Sequence, residues 1–327
     1  MSSLYRLPKY AVTAFLFLFA SVPPAPAQDW PGKTVRIVVP FGAGSTPDVV
    51  GRLVADGLQQ KYPASSFVVE NKPGASGNLG TDAVAKAVPD GSTIGVSIGG
   101  PLAINTLLFA KLPYDPHKDI VPITQLVTQP SVLAVNPSLG VNSVAELVSL
   151  LKKNPGKYNF ASIGNGSLSH LAMEAIAIKA GAQLVHVAYT GSPQAITAVI
   201  RNDAQMACLP AIAVTPQAAS GAVKILAVST ARRSPHLPDV PTLKETGIDV
   251  EADAWNGLIA PGGTPKPIAE KISKDVSEII RRPSVREKLA TQLMEPVGSS
   301  PDELRAQMDR EIARWAPVVK AANVKIN

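Results

Sequence analysis

Short runs of β-branched and apolar residues alternate with helical stretches along most of this chain. The candidate strands are residues 34–39, 67–70, 93–97, 132–135, 158–161, 184–188, 205–208, 223–228 and 257–259. Strand–helix alternation of this kind predicts parallel sheets with helices packed on both faces. It constrains the fold more than any other feature, because ligands of open α/β sheets lie at the carboxyl ends of the strands.

The C-terminal part of the chain departs from this alternation. From Pro265 onward the sequence predicts helices only, and the last helix runs from Pro301 to about Ala322. Ser300 before Pro301 is typical of a helix start. Serine caps the first turn, and proline fits the first helical position because an N–H there would have no hydrogen-bond partner in the helix. Trp315 belongs to an apolar stripe of this helix and is predicted to pack. Together with the alternation, this predicts two α/β lobes and a C-terminal helical cover.

Length and composition fit two domains of an ordinary globular protein. The chain has 327 residues, of which 46% are hydrophobic and 17% charged. This length exceeds the roughly 250–300 residues at which one apolar core usually divides. The formal net charge is +6, but no basic run or basic–aromatic pattern is present. We therefore expect no nucleic-acid partner.

The N-terminus has the pattern of an export signal. Arg6 and Lys9 precede an apolar run of ten residues, and the small-residue sequence Ala25-Pro26-Ala27 follows. This order predicts a signal peptide over residues 1–27, cleaved after Ala27, and a periplasmic protein. A short membrane anchor is the alternative, although ten apolar residues are half of the roughly 20 that span a bilayer.

The sequence offers little for metal, redox or nucleophilic chemistry. Cys208 is the only cysteine, so no internal disulfide can form, and its strand-like surroundings predict a buried small apolar residue. His117, His186 and His236 are scattered along the chain. We therefore expect no metal site and no cofactor.

The first glycine loop, residues 40–45, joins a buried strand to a helix start. Gly42 and Gly44 permit a tight backbone, and Thr46 is predicted to be the N-cap, followed by Pro47 and the first-turn acid Asp48. Exposed N–H groups at such a terminus favour anions. The loop lacks the third glycine of a dinucleotide site and the Gly-Lys-Ser/Thr ending of a P-loop. A plain turn is the alternative interpretation.

The second glycine loop, residues 163–167, repeats this arrangement. Gly164 and Gly166 lead into a helix with Ser167 as the predicted cap, and Ser162 and Ser169 supply further hydroxyl groups. A hydrolase that uses Ser167 or Ser169 with His170 is an alternative, but the sequence is not a G-x-S-x-G elbow. His170 is predicted to cap or line the site.

The chemistry of the two glycine loops favours a carboxylate. Neither loop contains Lys or Arg, whereas a phosphate usually recruits a basic side chain. Two more turns follow candidate strands: one contains Gly74, Gly77 and Asn78, and the other contains Ser97. All four connections could line one crevice at the carboxyl edge of the sheets.

The chain resembles the tripartite tricarboxylate transporter substrate-binding proteins, the Bug family of periplasmic receptors. The resemblance covers almost the whole chain after the signal peptide. It is carried, in order, by the motifs "WPGKTVRIVVPFGAGSTPDVVGRLVADGL", "VVENKPGASGNLGTDAVAKAVPDG", "GPLAINTLLFAKLPYDPHKD", "FASIGNGSLSHLAMEA", "VHVAYTGSPQAI", "STARRSPHLPDVPTLKETG" and "GLIAPGGTPKPI".

This resemblance implies a fold and a domain organisation. The expected fold is α/β, of the bilobal type II periplasmic-binding-protein kind, with a hinge and a cleft that closes on a small organic acid. Lobe one would comprise residues 28–128 and 236–327, and lobe two residues 129–235. The protein is expected to be a monomer.

The resemblance also implies a binding site, in which the two glycine loops and two water molecules hold one ligand carboxylate. Asp48 is expected to brace its loop rather than to touch the anion. The predicted ligand-binding residues are Phe41, Gly42, Ala43, Gly44, Thr46, Asp48, Ser97, Ser162, Gly164, Gly166, Ser167, His170, Tyr189, Gly191 and Leu209. A valine at Gly44 or Gly166 is expected to abolish binding while the fold stays intact, because a Cβ there would crowd the ligand.

Several positions depart from the usual family pattern. Ser45 replaces a glycine, Pro47 stands where threonine is common, and Thr190 stands where relatives often have lysine. Gln205 and Leu209 stand where relatives often have aspartate. Leu209 indicates a less polar far end of the ligand, such as an aromatic or aliphatic acid.

The function that follows from this resemblance is a non-enzymatic solute receptor. It would capture a small carboxylate-bearing molecule and deliver it to membrane subunits of a tripartite tricarboxylate-type transporter. The alternatives are a sensor subunit that presents its liganded form to a membrane kinase and the exported serine–histidine hydrolase considered above.

Overall fold

The computed structural model describes residues 30–326, and the predicted signal peptide lies outside this range. Its strands and helices, in chain order, are β1 (Thr34–Val39), α1 (Thr46–Lys61), β2 (Ser66–Asn71), α2 (Asn78–Ala85), β3 (Thr93–Ile98), α3 (Asn105–Leu108), β4 (Ile120–Gln129), β5 (Ser131–Val135), α4 (Val144–Lys153), β6 (Asn159–Ser162), α5 (Leu168–Ala180), β7 (Val185–Ala188), α6 (Ser192–Arg201), β8 (Met206–Pro210), α7 (Ala211–Ala219), β9 (Lys224–Val228), β10 (Ala254–Pro261), α8 (Lys266–Ile280), α9 (Pro283–Ala290), β11 (Glu295–Pro296) and α10 (Pro301–Ala321). Within residues 30–326, no helix is long and apolar enough to cross a membrane.

The strands form two mixed sheets. The first sheet has the order β11-β4-β10-β3-β1-β2, and the second has the order β7-β6-β8-β5-β9. In the first sheet, β1 runs parallel to β2 and β3, and β10 is antiparallel to β3 and β4. In the second, β6 runs parallel to β7 and β8, and β5 is antiparallel to β8 and β9. The structure confirms the predicted α/β class and two-lobe architecture. The expectation of parallel sheets was wrong, because the returning strands β10 and β5 run antiparallel to their neighbours.

The chain crosses between the sheets twice, once from β4 to β5 and once from β9 to β10. Because β4 ends and β10 begins at the carboxyl edge of β3, both crossings leave the first sheet at that edge. They join the second sheet where β5 begins and β9 ends, which is the carboxyl edge of β6 and β8. The carboxyl edges of the two sheets therefore face each other.

The segment between β9 and β10 packs on the second sheet before the chain returns to the first. Val228 pairs with Thr242 in an isolated bridge, and Leu243 is buried in the second lobe's core. The lobe boundaries predicted at 128/129 and 235/236 stay predictions, while sheet membership changes at β4–β5 and again at β9–β10.

Helix α10 connects the apolar cores of both lobes. Leu304 and Met308 pack with Trp255 on the first sheet, whereas Trp315 and Val319 belong to a core cluster of the second. This confirms the prediction that Trp315 packs. The helix begins with the predicted Ser300 cap, extended to a full capping box with Glu303.

Strand β4 was not predicted from the sequence, although it forms one of the crossings. It contains Pro122, a residue that normally argues against a central strand. The ladder to β10 tolerates this proline because the register shifts between Leu258 and Ile259, where Pro122 pairs. The helices-only prediction after Pro265 was wrong in one detail, since β11 adds a two-residue strand beside β4.

Acidic side chains gather where the chain returns to the first sheet. Arg314 donates to Glu311 Oε1 at 2.9 Å and to Glu251 Oε1 at 2.8 Å. Within the described chain, the neighbouring Asp253 has a buried Oδ1 without a hydrogen-bond partner. Burial, followed by the charge of Glu251, raises the pKa of Asp253 to about 8. Asp253 is therefore protonated at neutral pH.

We expect Asp253→Asn to weaken the pH dependence of stability. Folded Asp253 keeps its proton up to about pH 8, whereas an unfolded aspartate loses its proton near about pH 4. Between these values the unfolded state binds fewer protons, so this residue makes the free energy of unfolding fall as pH rises from about 4 to about 8. Urea unfolding of both proteins across this range measures the effect, and equal pH slopes would contradict it.

Candidate functional site

The four predicted connections lie at the facing carboxyl edges of the two sheets. The first glycine loop follows β1, and the loop at residues 72–77 follows β2. The turn at residues 99–100 follows β3, and the second glycine loop follows β6 in the other sheet. This is the place where open α/β sheets bind their ligands.

The carboxylate of Asp48 holds the first glycine loop in shape. Its Oδ2 accepts the Gly44 N–H at 2.8 Å and the Arg52 Nε–H at 3.0 Å. Its Oδ1 accepts from Asn71 Nδ2 at 2.9 Å, and the same Nδ2 donates to Phe41 O at 2.9 Å. Burial would raise the pKa of Asp48, but the hydrogen bonds it accepts, led by those from Arg52, outweigh burial and lower it. Asp48 thus stays ionised as a brace.

The start of helix α1 differs from the prediction by one residue. Ser45, rather than Thr46, is the N-cap, and Pro47 is the second helical residue. Ser45 Oγ is buried and has no hydrogen-bond partner within residues 30–326, and the N–H groups of Thr46 and Asp48 have none there either. The prediction was wrong because proline fits either of the first two helical positions, so its place does not fix the cap.

The backbone of the second glycine loop is held mostly by its own side chains. Ser162 Oγ donates to Gly164 O at 3.1 Å and accepts the Gly164 N–H at 3.2 Å. Ser167 Oγ donates to Gly164 O at 2.6 Å and, as the predicted N-cap, accepts the His170 N–H at 3.3 Å. Ser169 Oγ accepts the Ile163 N–H at 3.0 Å. Few of this loop's amides therefore remain free for a ligand.

His170 supports this loop and is not placed as a general base. Its Nδ1 accepts the Gly166 N–H at 3.0 Å, so the proton of the neutral ring is on Nε2. That Nε2 lies 3.5 Å from Glu174 Oε1. Neither ring nitrogen is directed to Ser167 or Ser169, the pairs that a hydrolase using His170 requires.

The structure adds three residues that the sequence did not indicate as part of the site. Arg52 and Asn71 bind Asp48, and His186 Nε2 lies 2.7 Å from Ser162 Oγ. The sequence did contain a signal for Arg52: it follows the carboxylate Asp48 by four positions, and residues at this spacing are neighbours on a helix. His186 was not predictable without the pairing of β6 with β7.

The loop after β2 and the turn after β3 support the first glycine loop. A Cβ at Gly77 would lie 2.7 Å from the Phe41 ring, so this glycine permits close packing. Asn78 is buried, and its Oδ1 accepts from Asn105 Nδ2 at 2.7 Å. Ser97 Oγ is buried 3.0 Å from Thr81 Oγ1. Ser97 and Asn78 are thus both buried and hydrogen-bonded to other side chains, and the place of Ser97 in the ligand-binding set stays a prediction.

The remaining predicted residues lie in the second lobe. The N–H of Tyr189 donates to Ser162 O at 3.0 Å, and Gly191 is the N-cap of α6. Leu209 is fully buried in an apolar cluster, so its place in the ligand-binding set stays a prediction. Gln205 precedes β8 and accepts the Asn159 N–H at 2.8 Å, which places it at the edge opposite the loops.

The described residues contain no group of three or more metal-binding side chains. Cys208 is a buried free thiol, as predicted. Burial raises its pKa to about 12, so it remains protonated. The site offers an anion backbone N–H groups and hydroxyl groups, because residues 40–45 and 163–167 include no Lys or Arg.

Sequence comparison finds a family and its named members. Residues 50–324 match the family described as "Tripartite tricarboxylate transporter family receptor". The protein BugT of Bordetella pertussis is 34% identical over 307 residues, covering 93% of each chain.

Comparison with solved structures gives the same result. The R. palustris protein Rpa4515, solved with adipate, has a TM-score of 0.79 and 34% identity over 91% of this chain and 99% of that chain. MatC of Rhodopseudomonas palustris, solved with malate, has a TM-score of 0.74 and 31% identity over 89% of this chain and 100% of that one. These matches confirm the bilobal type II periplasmic-binding-protein fold.

The C-terminal residues change the expectation for Gly166. A Cβ at Gly166 would lie 2.7 Å from Ile326 Cδ1 and 2.8 Å from Leu108 Cδ1, whereas a Cβ at Gly44 would meet no atom within 4 Å. Ile326 also donates its N–H to Leu108 O at 3.0 Å. A valine at Gly166 would therefore disturb packing, so a loss of binding there would not isolate the ligand site.

We expect Gly166→Ala to destabilise the protein more than Gly44→Ala. Both glycines have positive φ, +71° and +79°, and this backbone strain costs an alanine about 1–2 kcal/mol. Overpacking against Ile326 and Leu108 adds about 1–3 kcal/mol at Gly166 alone. Urea unfolding compares the two variants. Equal losses would show that the C-terminal residues move aside without cost.

Proposed function

Because the chain belongs to the tripartite tricarboxylate transporter receptor family, we propose that it is a periplasmic receptor for a small organic acid. It captures the acid between its two lobes and delivers it to a membrane transporter of the tripartite tricarboxylate type. The relatives Rpa4515 and MatC, solved with adipate and malate, support a dicarboxylate or a similar acid as the ligand.

The observation that carries this proposal is the set of free donors at the start of α1. The N–H groups of Thr46 and Asp48 have no acceptor within the described chain, and Gly42 and Ala43 are exposed beside them. Asp48 keeps the loop in position from behind. A carboxylate there would accept hydrogen bonds from the helix terminus without any cationic side chain.

The size of such a ligand requires that both lobes contact it. Micromolar binding corresponds to about −8 kcal/mol. For an acid of about ten heavy atoms this is about 0.8 kcal/mol per atom, toward the upper end for small ligands. One loop alone leaves most of the ligand in water, so the second glycine loop, Tyr189 and Gly191 complete the site from the other lobe.

The alternatives lead to different observations. An exported hydrolase would turn over simple esters, whereas a receptor would not. A sensor subunit would use the same cleft but present the liganded form to a membrane kinase. Capture of membrane proteins by the liganded receptor, followed by their identification, separates the sensor from the transport role.

The first experiment is thermal unfolding of the purified protein with adipate, malate, citrate, single amino acids and aromatic acids. A ligand at about one hundred times its dissociation constant adds about 2.7 kcal/mol of stability. We expect at least one carboxylate to raise the melting temperature and no turnover of 4-nitrophenyl acetate. The protein is first freed of bound ligand by unfolding and refolding. The receptor proposal would be contradicted if none of the acids then raised the melting temperature, or if the protein hydrolysed the ester.

A substitution of Asp48 tests whether the first glycine loop binds the acid. Asp48→Asn removes the charge that orients Gly44 and pairs with Arg52, so we expect the acid that stabilises the wild type to bind more weakly. Asp56→Asn is the matched control, because Asp56 is an exposed aspartate of the same helix. Equal ligand affinities in the two variants would exclude the first glycine loop as the site.

A further inference from the structure

His186 is not among the predicted ligand-binding residues, but it contacts side chains that hold the second glycine loop. It lies on β7, the outer strand of the second sheet, and its ring stacks on His170 with centroids 3.7 Å apart and planes 9° apart. Its ring also stacks on Phe160, with centroids 4.9 Å apart, and Phe160 in turn lies 6.0 Å from the His170 ring. The register pairs Phe160 with His186, so both side chains project from the sheet face that α5 covers.

The hydrogen-bond inventory of Ser162 determines the tautomer of His186. Ser162 is fully buried, and its Oγ has three neighbours: Gly164 O at 3.1 Å, Gly164 N at 3.2 Å and His186 Nε2 at 2.7 Å. A hydroxyl donates once and accepts twice. All three contacts are satisfied when Ser162 donates to Gly164 O and accepts N–H groups from Gly164 and from His186 Nε2.

The same reasoning assigns His170. Its Nδ1 accepts the Gly166 N–H at 3.0 Å, which places the ring proton on Nε2, 3.5 Å from Glu174 Oε1. The two stacked rings therefore both carry their proton on Nε2. One ring fixes the start of the second glycine loop through Ser162, and the other fixes its end through Gly166.

We propose that His186 is a positioning residue of the second glycine loop: its Nε2–H saturates Ser162 Oγ, and its ring holds His170 where Nδ1 receives the Gly166 N–H. Its contribution to ligand capture rests on the proposed function. The saturated, buried hydroxyl of Ser162 has no proton to give to His186, so this pair is structural rather than nucleophilic.

The surroundings keep His186 neutral. The titratable groups that face it are His170 and Glu174, both from α5, while β6 contributes only Phe160 and Ser162. Burial, and next the neighbouring His170, lowers the pKa of His186 to about 4. The His186 ring should therefore stay neutral through mildly acidic pH.

Two substitutions separate the hydrogen bond from the stacking. His186→Phe keeps an aromatic ring against His170 but removes the donor, whereas His186→Gln supplies an N–H donor without the ring. Loss of one hydrogen bond predicts an adipate dissociation constant about 3- to 10-fold higher for the Phe variant. His186→Gln should recover part of this loss. His236→Gln is the control and should match the wild type, because His236 lines a different pocket beside Arg286 and Glu287.

Measurements without ligand test the positioning role directly. Nitrogen-15 spectra of labelled histidines should show the Nε2–H tautomer for His170 and His186 at neutral pH, with His186 still neutral near about pH 5. Amide exchange at Gly164 and Gly166 should be faster in His186→Phe than in the wild type. An Nδ1–H tautomer at His186, or exchange unchanged in the Phe variant, would overturn the proposal.

The ligand-binding measurements test the proposed function independently of the tautomer and amide-exchange measurements. If neither adipate nor any other acid of the panel binds the wild type, the proposed function fails, and the tautomers and exchange rates still decide the role of His186. If adipate binds the wild type and His186→Phe equally, ligand capture does not depend on this residue, and that part of the proposal is wrong.

Discussion

Both passages of the chain between its sheets leave and enter at the carboxyl ends of parallel strands. This constraint decides where a site can form, because the connections after β1, β2, β3 and β6 then face each other. The connections after β1, β3 and β6 follow strands that are paired on both sides, whereas the loop after β2 follows an edge strand. The site is thus built from loops, but their starting points are fixed by two rigid sheets.

Much of each loop's hydrogen-bonding capacity is used to hold the loop itself. Asp48 binds the Gly44 amide, Ser162 binds the Gly164 amide, and His170 binds the Gly166 amide. Loops held in this way lose less conformational freedom when a ligand arrives, which favours binding. The cost is that the glycines themselves donate little, so the free donors are the amides of Thr46, Asp48 and their neighbours.

The sequence predicted the parts of the fold that depend on local pattern. The strand at residues 34–39, the Ser167 and Ser300 caps and the packing of Trp315 follow from residue type and spacing, and the structure has them. It did not predict β4, because Pro122 is tolerated only through a register shift in the partner strand.

The unpredicted parts of the site depend on long-range pairing. His186 reaches Ser162 only because β7 lies beside β6, and Ile326 meets Gly166 although about half of the chain separates them. Gln205 shows the same limit in reverse. It was noted because relatives often have aspartate at this position, but β8 begins directly after it, so it lies at the edge away from the loops.

The contacts of the C-terminal residues restrict how the two lobes can move. Helix α10 is buried in both lobes, and Arg314 ties it to Glu251 in the returning segment. Ile326 then lies between Leu108 of the first lobe and Gly166 of the second glycine loop. The closing motion that the proposed function requires would have to change the backbone of the crossings, and in the first of them β4 passes into β5 through a single residue, Pro130. Under the proposed function, the second glycine loop would hold the ligand while it packs against the C-terminal residues, so ligand binding and the packing of the chain's end would depend on the same few residues.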